Sequence, residues 1–125
     1  MPYIDGFVAA VPTENRDAFI AHAKRTWPIF QELGALAQWE GWGDQVPDGE
    51  LTSFGKAVQA KEDETVVFSW VAWPDQATRD AGWEKMMSDP TMEERMGQMP
   101  FDGKRMIFGG FTPIFMEGMG FEAKN

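Results

Sequence analysis

The stretch TVVFSWVAW, residues 65–73, decides the fold. Its β-branched and aromatic residues suit a pleated strand and crowd a helix. Along a strand, side chains alternate between faces. Val66, Phe68, Trp70 and Ala72 therefore share one side, and Val67, Ser69, Val71 and Trp73 share the other. Both sides are apolar. The segment YIDGFVAAV, residues 3–11, behaves the same way, with Ile4, Val8 and Ala10 opposite Tyr3, Phe7, Ala9 and Val11. An antiparallel sheet with one wet face would instead alternate apolar and polar residues.

Working outward, Pro12-Thr13 ends the first strand, with Thr13 or Asn15 as candidate N-cap of the helix that follows. From Asp17 to Leu33, bulky positions Phe19, His22, Ala23, Thr26, Trp27, Phe30 and Leu33 recur at helical spacing. Pro28 is expected to bend or break that helix at Thr26–Trp27, and Gly34 to close it. Strands are read over 35–44 and 52–60, separated by the turn residues Pro47-Asp48-Gly49. A helix is expected from Pro74-Asp75 to about Ser88, interrupted by Asp89-Pro90. A short helix TMEERM comes next. A last strand is read over 104–115, with Gly109-Gly110 as a bulge or bend.

The order reduces to β-α-β-β-α-β, the α+β split pattern of a ferredoxin-like antiparallel sheet with helices on one face. Two helices cannot also cover the second apolar face. The economical cover is a second copy, which predicts a homodimer packed sheet to sheet. Apolar area is worth about 25 cal/mol per Å² when removed from water, and a stable interface buries about 1,600 Å².

The 125 residues amount to one domain. Without cysteine there is no disulfide, thiolate metal site or cysteine nucleophile, which fits a reducing, cytoplasmic setting. The first residues lack the features of a secretory signal, and no apolar run spans a membrane. Twenty acidic against eleven basic residues give a net charge of −9, which repels nucleic acid and anionic membranes. Phosphate loops, dinucleotide fingerprints, nucleophile elbows and His-Glu-x-x-His pairs are absent. No cofactor is called for.

Candidate site residues are few. His22, the single histidine, lies on the apolar stripe of the first helix, where it is either a general base facing a helix–sheet pocket or a core histidine. With no second histidine, a mononuclear catalytic metal site is not expected. Asp5 and Glu40 are acids in strands suited to burial. Each is either a perturbed carboxyl at a site or a residue at a strand edge or in an ion pair with Lys104 or Arg105. Trp42 and Trp70 are the aromatics singled out as pocket walls, against a core role for the others.

The segment KMMSDPTMEERMGQMPFDGKRMIFGGF, residues 85–111, holds six of the nine methionines. It reads first as the join between a helix and the last strand, with Met92 and Met96 on one side of a short helix. Its alternative is a cradle in which Asp102, Lys104 and Arg105 meet a carboxylate-bearing ligand.

The phrases DGFVAAVP (5–12), VPDG (46–49), VVFSW (66–70), RDA (79–81), KMMSDP (85–90) and MPFDGKRMIFGGF (99–111) resemble the YbaA-like family of uncharacterised bacterial proteins. That resemblance implies a dimeric α+β barrel and no particular activity. The barrel architecture is shared with cofactor-free oxygenases, haem-degrading enzymes and small isomerases, whose pockets commonly lie between helices and sheet. The leading expectation is a homodimer that binds a small apolar or aromatic molecule in that crevice. Its rivals are oxygenase- or isomerase-like chemistry with His22 or Glu40 moving a proton, and a dimer without a pocket. The glycine-rich tail from residue 116 to 125 reads as an arm or as a loose end.

Overall fold

The computed structural model describes residues 1–118. Strand β1 (Tyr3–Pro12) passes through a 3-10 turn into helix α1 (Arg16–Glu32), followed by β2 (Ala37–Trp42). A single helical turn, α2 (Phe54–Ala57), precedes β3 (Glu64–Trp73) and α3 (Gln76–Ser88). Helix α4 (Met92–Met96) and a 3-10 turn at Gly103–Arg105 lead to β4 (Ile107–Phe111). The sheet order is β2-β3-β1-β4, with every neighbouring pair antiparallel. This is the α+β, ferredoxin-like β-α-β-β-α-β arrangement expected from the sequence, with four strands where the sequence reading has five segments, the extra one being 52–60.

The register fixes which residues share a face. Phe7 lies opposite Ser69 and Phe108, and Ser69 lies opposite Glu40, so these four share one side. That side carries the helices. One core cluster joins Tyr3, Val71 and Trp73 to Phe30 of α1, with Trp83 and Met86 of α3 packed against it. A second joins Ala9, Val11 and Val67 to Phe19.

The other side, with Ile4, Val8, Phe68, Trp70, Trp39, Ile107 and Phe111, lies opposite the face that α1 and α3 cover, and among the described residues the single turn α2 touches it, through Phe54 on Phe68. Trp39 is 47 % exposed, Phe68 43 %, Ile107 45 % and Phe111 62 %, large values for such residues in a sheet. Four aromatic rings, Phe54, Phe68, Trp39 and Trp70, adjoin in sequence with centroids 6.1–6.2 Å apart. Such a contiguous apolar surface is uncommon on a molecule that works alone.

Four local expectations are corrected. Residues 52–60 form no strand: Ser53 Oγ accepts from the Lys56 backbone N–H at 3.0 Å and caps a helical turn. Helix α1 runs unbroken through Pro28. Pro28 and Lys24, whose carbonyl loses its helical donor, both lie on the exposed side, where water can meet that carbonyl. The last strand is confined to Ile107–Phe111, because residues 103–105 turn and Pro113 lies just beyond. Gly109-Gly110 makes no bulge, since Gly6 pairs with Gly109 and Asp5 with Gly110 in continuous register.

Other local readings agree with the structure. Gly34, at φ 106°, follows α1 as its left-handed residue. Asp75 caps α3 through the Thr78 N–H at 2.7 Å. Met92 is buried and Met96 packs on the core. The expected arm or loose end spans residues 116–125, of which 119–125 lie outside the described residues.

Candidate functional site

Between α1 and the sheet lies a cavity of 180 Å³, walled by apolar side chains from both layers and from the methionine-rich segment. Phe7, Phe19 and Phe30 form its aromatic side, and Met86, Met96, Met99 and Met106 form an adaptable one. The exposed Met99 places part of this wall at the solvent boundary. Helical spacing brings His22, Ala23 and Thr26 of α1 to the same wall, while strand alternation brings Gln38, Glu40 and Ser69 up from below. His22 and Glu40 thus line one cavity, as their sequence positions suggested.

A short hydrogen-bond chain crosses the polar side. Ser69 Oγ donates to Glu40 Oε1 at 2.5 Å, and Gln38 Nε2 donates to Glu40 Oε2 at 2.8 Å. Gln38 Nε2 also donates to Thr26 Oγ1 at 3.2 Å, and that hydroxyl donates to the Ala23 carbonyl at 3.1 Å. Burial raises the Glu40 carboxyl above its ordinary range, against the opposing pull of the Ser69 and Gln38 donors. Burial, assisted by the nearby Arg25 charge, lowers His22. Burial thus disfavours the charged form of both groups, and both line the same apolar space. Ser69 and Gln38 were not among the sequence candidates. Gln38 stands two residues before Glu40, so strand alternation alone places it beside that acid.

The remaining candidates occupy other places. Asp5, 2 % exposed, is enclosed by donors: Trp73 Nε1 at 2.9 Å, Trp83 Nε1 at 2.8 Å, and the Arg79 guanidinium at 2.8 and 3.0 Å. Arg79 lies over the Tyr3 and Trp83 rings. The ion-pair partner of Asp5 is therefore Arg79 rather than Lys104 or Arg105, and this cluster ties α3 to the sheet. Arg105 grips Glu64 with two hydrogen bonds, at 2.7 and 2.6 Å, and Asp102 with a third at 3.0 Å. Those bonds hold Glu64 down at about 2, chiefly through the Arg105 donors.

Asp102 also accepts from the Lys104 backbone N–H at 3.0 Å, and Lys104 itself is exposed. Asp102 and Arg105 thus tie the 3-10 turn to β3, and neither is part of the cavity lining. Trp42 packs on Phe19 with Arg16 over its ring, and Trp70 stacks on Trp39 on the open face. Among the described residues no group of acidic or histidine side chains is arranged to hold a metal, and no helix is long and apolar enough to cross a membrane.

The chain is similar to known proteins in sequence and in fold. A family model described as "Protein of unknown function (DUF1428)" matches residues 2–103. The chain belongs to the DUF1428 family. Its relatives include "Uncharacterized protein YbaA" of Escherichia coli K12, 53 % identical over 117 residues, which cover 94 % of this chain and all of that one. The protein of the same name from Shigella flexneri matches equally. Among solved structures, a dimeric ferredoxin-like protein from an uncultured marine organism superimposes with a TM-score of 0.50 at 14 % identity. The match covers 94 % of this DUF1428 chain and 100 % of the other, and it agrees with the ferredoxin-like fold.

Proposed function

We propose that this protein is a homodimer, joined through the open sheet faces, that binds a small apolar or aromatic molecule in each helix–sheet cavity. The observation that carries the binding reading is the 180 Å³ cavity itself, apolar over most of its wall with a few convergent polar groups on one side. The dimer reading rests on the aromatic run Phe54-Phe68-Trp39-Trp70, of which Phe54, Phe68 and Trp39 are exposed, and is supported by the description of the structural neighbour as dimeric. A thermal-shift panel of small neutral aromatics tests the first part, because a ligand of the native state raises the melting temperature. No shift from any of them at millimolar concentration rejects it. Sedimentation tests the second: the wild type should be a dimer at micromolar concentration and Phe68→Glu a monomer, and a monomeric wild type rejects it.

The raised Glu40 carboxyl favours a second reading, isomerase-type chemistry. Glu40 as carboxylate takes a proton from one carbon of the bound molecule, and the resulting acid returns it to another, so one substrate accounts for every atom and electron. Exchange of a ligand C–H with solvent deuterium, abolished in Glu40→Gln, is the expected sign. Its absence across the ligands that bind leaves the first reading alone.

A further inference from the structure

Gln38 Oε1 is buried and makes no hydrogen bond among the described residues. Its orientation is set from the other end of the amide. One proton of Nε2 goes to Glu40 Oε2 and the other to Thr26 Oγ1, whose own proton is committed to the Ala23 carbonyl. The carbonyl end is then an acceptor without a donor, in a residue that forms part of the cavity wall. An acceptor left so is costly, and a bound donor would relieve it.

Two further features narrow the ligand. A space of 180 Å³ suits a single ring, since an apolar cavity of about 150 Å³ accepts benzene. The lining includes no lysine or arginine to pair with an anion. The notion of a carboxylate ligand, attached to Lys104 and Arg105 in the sequence, does not carry over to this cavity.

We propose that the cavity selects uncharged, single-ring molecules bearing one hydrogen-bond donor, phenol-like in shape, with that donor bound to Gln38 Oε1. This rests on the binding reading above and specifies its ligand class. The test titrates the full chain with phenol, toluene, anisole and benzoate, followed by tryptophan fluorescence and melting temperature, for the wild type and Gln38→Leu.

Phenol should bind about tenfold more tightly than toluene or anisole, the usual scale of one buried hydrogen bond, and benzoate should bind least. In Gln38→Leu the preference for phenol over toluene should vanish while toluene binding persists. Equal affinity for phenol and toluene, or anisole matching phenol, overturns the assignment to Gln38 and leaves the cavity as a binding site. Failure of all four overturns the binding reading as well. Should Gln38→Leu not fold, the wild-type series alone decides, because phenol and toluene match in heavy-atom number and differ in the donor, while anisole keeps the oxygen without its proton.

Discussion

Asp5 and Glu40 stand on the same helix-side face of the same sheet, two rows apart, and live in opposite surroundings. Asp5 meets a guanidinium and two indole N–H groups, and these fill its lone pairs. Glu40 meets one hydroxyl and one amide, both neutral, and faces an apolar space. A buried carboxylate surrounded by donors and a cation holds structure together. A buried carboxyl given only neutral donors remains able to exchange its proton. The difference separates an anchor from a candidate reactive group, although each is simply an acid within a strand in the sequence.

Removing the anchor gives the largest expected effect. Asp5→Ala leaves Arg79, Trp73 and Trp83 without their acceptor and should cost about 3 kcal/mol or more of unfolding free energy in a urea titration. A loss below about 1 kcal/mol would mean that the cluster is incidental.

Next comes the pairing of Glu64 with Arg105. The folded carboxyl sits at about 2 against an ordinary 4.5, so its stabilisation is present above about pH 4.5 and lost as pH falls toward 2. Glu64→Gln should cost about 1.5–3 kcal/mol at pH 7 and flatten the acid side of the melting-temperature profile.

Glu40 carries the opposite sign and the smallest effect. Its folded carboxyl is raised, so its contribution is full below the unfolded value near 4.5 and declines as pH rises through the folded one. Glu40→Gln should therefore change stability by less than about 1 kcal/mol at pH 4 and be neutral or stabilising at pH 8. A strongly destabilised Glu40→Gln at pH 8 would erase the contrast with Asp5.

Much of the architecture was legible because it follows from periodicity. The two-sided strand 65–73, the stripe from Phe19 to Leu33 and the helix opening at Pro74-Asp75 are local patterns with one physical reading each. Residues 52–60 misled because TSFGKAVQA alternates weakly enough for a strand, while one serine cap decides for a helical turn. His22 and Glu40 converge because helix and strand periodicity each place them on the inner side. The pairing of Asp5 with Arg79 was not legible, since 74 residues separate them and only the assembled packing of α3 brings them together. The same holds for Glu64 and Arg105, 41 residues apart. Gln38 was overlooked because an amide in a strand looks unremarkable until its carbonyl is seen to lack a partner.

Gly110 lies opposite Asp5, and a methyl group there would run into the Tyr3 hydroxyl and stand 2.9 Å from Arg79 Nη2. The bare backbone of β4 is what allows an edge strand to close over a guanidinium already seated on its acid. Any larger residue would force a choice between the outermost ladder of the sheet and the ion pair beneath it. Gly110 thus makes the last strand and the buried anchor compatible, and it ties the fate of one edge of the protein to a contact made far earlier in the chain.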